Sequence, residues 1–256
     1  MSIPRVETRN GQKILLVDDK PFIYQVINKD KTGIHDERVI MTKWLNTVIL
    51  KRTFGGQSDT ILSSIRKIIS SNLDAAVFPL KQIIDAYIGT TKDMRFDEQL
   101  IDSLLHIHKD DPNCRSVLML LFPDVNVNFR YDIDHLHPKD SFKKENLKLF
   151  PAINGNEILR NYYLDSENWD TIPNLQLLNS SQNRGPKNAR SLKEWIEDPT
   201  NAFNKGDLLI PLDTSLEFED FHAFIEARIR AIKAKMAENV IMSIDPLVNE
   251  LDEQEN

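Results

Sequence analysis

Pro123, Pro138, Pro151, Pro173, Pro186, Pro199 and Pro211 cut the second half of the chain into segments too short for long helices. Proline lacks a backbone N–H and clashes with the preceding turn, so this half must be built from loops, short strands and short helices. The first half has the opposite texture. From Glu37 onward Val39, Ile40, Trp44, Leu45, Val48 and Ile49 recur every three or four residues, which predicts a helix with one apolar face. Further amphipathic helices are expected at about 59–71, 80–88, 97–108 and 113–122. Residues 217–242 return to helical spacing through Phe221, Phe224, Ile225, Ile229, Ile232 and Met236. The expected class is α+β. A mostly helical domain over 1–122, with a short β segment possible at Lys13–Val17 before an Asp18–Pro21 turn, precedes a mixed module over 123–200. A helix and an acidic tail follow over 201–256.

An apolar fraction of 41% and a charged fraction of 28% over 256 residues are those of an ordinary globular chain able to bury a sizeable core. No apolar run approaches the roughly 20 residues that cross a bilayer, and the N-terminus lacks the apolar core of a signal peptide, so a cytoplasmic protein with no membrane partner is expected. The single cysteine, Cys114, leaves no internal disulfide and no Cys-based zinc site. Net charge is −7, but from residue 201 onward 12 acids face 5 bases, so the first 200 residues are neutral. An acidic tail on a neutral body is compatible with nucleic acid, whose binding follows local phosphate contacts.

Two stretches stand apart. Tyr131-Asp132-Ile133-Asp134-His135-Leu136-His137-Pro138 packs acids and imidazoles into a strand-like alternation that a proline ends. Asn174-Leu-Gln-Leu-Leu178 is a second short strand, after which Ser180 or Ser181 is expected to cap a helix carrying Asn183 in its first turn and later burying Leu192, Trp195 and Ile196. Folding the end of the first strand over that helix start would gather Asp134, His135 and Asn183. Their chemistry suits phosphodiester hydrolysis. Magnesium takes few, hard oxygen ligands from protein, which Asp134 and Asn183 supply, and a neutral imidazole at His135 can deprotonate water. Arg184 and Lys187 lie where two cations at a helix start would hold phosphate.

Asp-His-x-His-Pro, joined to Asn-Leu-x-Leu-Leu and Asn-Arg-Gly-x-Lys, resembles the HNH (ββα-metal) endonuclease motif, including the form in CRISPR effector nucleases. The resemblance covers about 129–196 and implies a ββα-metal module in which Asp134 and Asn183 hold Mg²⁺ or Mn²⁺. It makes His135 the general base and Asn174 the residue that fixes the loop carrying it. His137 is expected to bind metal or phosphate or to make a structural hydrogen bond, and Asp132 to orient a neighbour. The interval from His135 to Asn174, 39 residues, exceeds the compact motif. The extra chain reads as two short helices with a basic run at Lys139, Lys143, Lys144 and Lys148, read as a solvated face.

The helical region with Phe54-Gly55-Gly56, the module and the terminal Phe-x-x-Phe helix are similar to the C-terminal part of GmrSD-like restriction proteins. In that family a ParB-like, nucleotide-hydrolysing domain carries an Asp-Gly-Gln-Gln-Arg signature absent from this sequence, which reads as a fragment, a separately encoded subunit with a ParB-like subunit or domain as partner, or a stand-alone relative without nucleotide dependence. Gly55-Gly56 lacks the rest of a phosphate loop and reads as a turn; His106 and His108 read as a helix end. The expectation is a divalent-metal-dependent DNA endonuclease of a restriction or anti-phage system. The alternative is a catalytically silent or partner-gated HNH subunit that binds nucleic acid or docks a larger complex.

Overall fold

Burial divides the protein into two units with separate cores. The computed structural model describes residues 5–9, 12–17, 20–24, 33–56, 58–72, 78–123, 125, 128–187, 190–200 and 204–244, with side chains from residue 39 onward except Pro186. One unit comprises 1–96 with 240–256, the other 97–239. Among the described residues no helix is long and apolar enough to cross a membrane. The acidic end expected after residue 249 and the Asp18-Asp19 turn lie outside the described residues.

In the first unit β1 (Arg5–Arg9), β2 (Gln12–Val17) and β3 (Lys20–Tyr24) form an antiparallel sheet in that order. Pro21, expected in a turn, pairs with Leu16 inside β3, an edge strand where proline is tolerated. Helices α1 (Gly33–Leu50), α2 (Ser58–Ser71) and α3 (Leu80–Asp85) follow. Trp44 and Val48 of α1 meet Ile61, Leu62 and Ile65 of α2 and Ile83 and Ile84 of α3 in one core. Helix α1 stops at Leu50, ahead of the glycines expected to end it, with Arg52 in the left-handed region at φ 50° and Gly56 at φ 82°.

The second unit begins at Asp97, whose carboxylate accepts from the Leu100 N–H to cap α4 (Glu98–Leu105). Helix α5 (Cys114–Leu121) and strand β4 (Tyr131–His135) follow. The long connection holds four short helices, α6 (Lys144–Leu147), α7 (Pro151–Asn154), α8 (Glu157–Leu164) and α9 (Ser166–Trp169), the first three in the stretch of about 141–163 where two were expected. Strand β5 (Leu175–Asn179) returns antiparallel to β4 and leads into α10 (Ser180–Gln182) and a π-helical turn at Asn183–Lys187. Helices α11 (Leu192–Ile196) and α12 (Phe221–Asn239) complete the unit. The boundary expected near residue 123 thus falls inside this unit, because α5 packs on β5 and α12.

The core joins Phe142, Tyr163, Trp169, Leu178, Leu192 and Trp195 to Phe218, Phe221 and Phe224. An isolated two-stranded sheet is marginal in water, so β4 and β5 depend on this packing. They also depend on one buried cation. Arg228 of α12 is fully buried and donates from Nε to the Leu208 carbonyl (3.0 Å), from Nη1 to Ile172 (3.3 Å) and Pro173 (2.6 Å), and from Nη2 to Leu175 (3.0 Å). Its planar fork suits several carbonyls at once. Arg228→Met should lower unfolding stability by about 3 kcal/mol, since it strands buried carbonyls; urea denaturation checks this, and an unchanged midpoint would contradict the account.

Candidate functional site

The register of the small sheet sets the site. Asp132 pairs with Leu178, Asp134 with Gln176 and His135 with Leu175. Strand alternation puts Asp132 and Asp134 on one face and Tyr131, Ile133 and His135 on the other. Past His135 the chain leaves the sheet but stays tied to the start of β5. The Leu136 N–H donates to the Asn174 carbonyl (2.8 Å) and the His137 N–H to Asn174 Oδ1 (3.0 Å). Asn174 Nδ2 donates to the carbonyls of His137 (3.2 Å) and Trp169 (2.9 Å). Fully buried, this amide fixes the loop that follows His135 and the end of α9 together.

His135 is 4% exposed, its ring 5.7 Å from that of Trp169, and its Nε2 lies 2.7 Å from Asp170 Oδ1. A carboxylate accepts only, so the neutral ring carries its proton on Nε2 and presents Nδ1 as a lone pair. Burial lowers the pKa of His135; Asp170 opposes that shift and Lys109 adds to it. The imidazole is therefore held neutral around pH 7, as proton abstraction requires.

On the other face, Asp134 Oδ2 accepts from Gln176 Nε2 (3.0 Å) and lies 2.6 Å from the Lys187 ammonium. Lys187 does not sit on the surface beside Arg184 as its expected phosphate role would need. It is fully buried, donates to the His135 carbonyl and lies 5.5 Å above the Trp195 ring. A shielded carboxylate left without a counter-charge would be costly, and Lys187 meets that need. Burial pushes the Lys187 pKa down while Asp134 raises it.

Asn183 and Arg184 stand near Asp132 instead. Asn183 Nδ2 donates to Asp132 Oδ2 (3.4 Å), and Arg184 Nε is 3.9 Å from the same oxygen with its side chain 72% exposed. Burial raises the Asp132 pKa, but the Ser180 and Asn183 dipoles and the charges of Arg184 and Arg130 together bring it below the usual value. The structure therefore places Asp132, Asn183 and Arg184 together, and Asp134 with Lys187 and Gln176. Asn183 makes no hydrogen bond to Asp134 among the described residues.

The helix start also differs in detail. Asn179, and neither Ser180 nor Ser181, supplies the cap, accepting from the Ser181 N–H (2.9 Å) and hydroxyl (2.7 Å). Asn183 opens the π-helical turn, a distortion frequent at functional sites, and α11 starts anew with a Ser191–Glu194 capping box. His137 is a core histidine. Its ring lies 4.7 Å from Phe224, 5.4 Å from Phe221 and 6.0 Å from Phe218, its Nε2 has no partner, and burial lowers its pKa to about 3. It is neutral and buried from solvent.

Oxygen donors of the kind a small hard cation takes are present but divided: Asp134 offers a carboxylate with Gln176 Oε1 buried beside it and without a hydrogen-bond partner among the described residues, while the Asn183 amide stands at Asp132. Among the described residues no group of three or more His, Cys, Asp or Glu is placed to hold a metal. Sequence reasoning missed Asp170 and Gln176. Gln176 had a local signal, being opposite Asp134 once the strands pair; Asp170 had none, because only the folded long connection brings it to His135.

No model of a known protein family and no curated protein matches the chain. Asn174→Ala should speed amide exchange at Leu136 and His137 by about tenfold or more while exchange in α12 changes less. Uniform acceleration across the second unit would show that Asn174 acts through global stability alone.

Proposed function

We propose that this chain is a divalent-metal-dependent DNA endonuclease of the ββα-metal type. The observation that carries the reading is the orientation of His135. A buried neutral imidazole, held through Nε2 by Asp170, sits on a strand end that Asn174 fixes, one residue from the carboxylate of Asp134. In this reading Asp134 and Asn183 hold Mg²⁺ or Mn²⁺, with Gln176 steadying Asp134. A divalent ion bound there would supply charge stabilisation to the scissile phosphate and its leaving 3′ oxygen.

The chain's own residues do the rest. His135 Nδ1 takes a proton from water, the resulting hydroxide attacks phosphorus, and the 3′ oxygen departs. Asp170 keeps the ring in the tautomer that can accept and stabilises the imidazolium formed. Arg184, exposed beside Asp132, is the cation this reading assigns to a DNA phosphate. A role in restriction or anti-phage defence, and a ParB-like nucleotide-hydrolysing partner, extend this proposal on family analogy, a weaker warrant than the site.

One observation favours a second reading, a partner-gated subunit. The Lys187 ammonium already neutralises Asp134, so a metal must compete with it for that carboxylate. A partner or DNA that draws Lys187 aside would open the site.

Supercoiled plasmid with Mg²⁺ or Mn²⁺ tests both. The nuclease reading expects nicking or linearisation that EDTA abolishes and that His135→Ala lowers by about 10²–10⁴-fold, the usual worth of a general base. Undiminished cleavage by His135→Ala removes the assignment. A silent wild type beside an active Lys187→Met would establish gating.

A further inference from the structure

Asp170 has a second oxygen, and the structure shows what occupies it. Asp170 Oδ2 lies 3.5 Å from His108 Nδ1, while His108 Nε2 lies 2.9 Å from Glu167 Oε1. The four side chains form one line from the interior outward: His135 5% exposed, Asp170 19%, His108 34%, Glu167 66%. The backbone keeps His108 in place, since Lys109 N–H donates to the Asp170 carbonyl (3.1 Å), Ile172 N–H to the Ile107 carbonyl (3.1 Å), and His108 bridges Thr171. Helix α4 ends at Leu105 with His106 as its C-cap, so His108 lies beyond the helix end to which it seemed to belong.

Between two carboxylates both ring nitrogens of His108 act as donors, which is the imidazolium form. Its pKa is accordingly raised, first by Glu167, against the effect of burial, and then by Asp170. A cation at this point holds one Asp170 oxygen so that the other stays aimed at His135 Nε2.

We propose that His108, braced by Glu167, is a positioning residue that fixes Asp170 and thereby the Nε2–H tautomer of His135. The catalytic consequence rests on the nuclease reading above; the tautomer itself does not. His108 acts through Asp170 and touches neither substrate nor reacting atoms. Without it Asp170 keeps its place in the chain but loses the anchor on Oδ2, and the His135 ring can exchange its proton between nitrogens or turn.

The test uses the full chain labelled with ¹⁵N-histidine, without added metal, at neutral pH, with His135 identified by the signal lost in His135→Gln. In the wild type, Nε2 should carry the proton and Nδ1 should show the shift of an unprotonated nitrogen. His108→Ala should replace this with exchange between tautomers, and His108→Arg, which restores a cation with several donors, should recover the single form. Glu167→Gln, at an exposed position, gives a milder change if His108→Ala fails to fold. Plasmid cleavage run beside it should show kcat lowered about tenfold in His108→Ala with KM unchanged, the usual scale for a residue that orients a histidine from behind. An Nδ1–H tautomer in the wild type, or a tautomer unaltered in His108→Ala, overturns the proposal. If the tautomer follows His108 but neither the wild type nor Lys187→Met cleaves DNA, the positioning stands and the nuclease reading falls.

Discussion

The Asn174 side chain takes a hydrogen bond from the His137 N–H and gives others to the carbonyls of His137 and Trp169. These contacts tie the end of β4 to the end of α9 and the start of β5, which lie more than 30 residues further along the chain. Closing so long a connection costs chain entropy that two five-residue strands cannot offset alone. The remaining stabilisation comes from the aromatic core around Phe142, Trp169 and Phe221, and from Arg228, which binds the carbonyls on either side of Asn174. The site is thus fixed by buried polar groups as much as by apolar area. Such networks confer uniqueness when every member is satisfied.

The two faces of β4 do opposite electrostatic work. On one, burial favours a neutral imidazole, and Asp170 at Nε2 defines which nitrogen keeps the lone pair. On the other, Lys187 lies against Asp134 as its counter-charge, and the polar and cationic neighbours of Asp132 favour its carboxylate form. One strand can therefore hold a base and an anionic ligand one residue apart without either neutralising the other. The pleat points successive side chains to opposite faces and so keeps the two groups apart.

Much of this was legible in the sequence, and the limits have physical reasons. The alternation of Phe129–Leu136 and the proline after it located β4, and Asn-Leu-Gln-Leu-Leu located β5, because strand signals are local. Helices α1, α2, α4 and α5 followed their apolar spacing to within a few residues. Lys187 and Arg228 were not legible as interior residues, since lysine and arginine are almost always at the surface unless a buried partner calls them in. His137 looked like a ligand because it lies two residues from His135. It became core because the chain leaves the strand at Leu136 and turns the ring onto Phe218, Phe221 and Phe224. Asp170 and His108 lie outside both motif segments, and only the folded connection joins them to His135.

The central claim is that Asp134, His135 and Asn183 form one site on nucleic acid. Its most direct measurement is anomalous diffraction from crystals of the His135→Ala protein grown with Mn²⁺ and a DNA duplex. The account predicts manganese held by the side chains of Asp134 and Asn183, Lys187 moved off Asp134, and a phosphate between the metal and residue 135. Manganese or DNA elsewhere, with the Asp134–Lys187 pair intact in the presence of both, would contradict it.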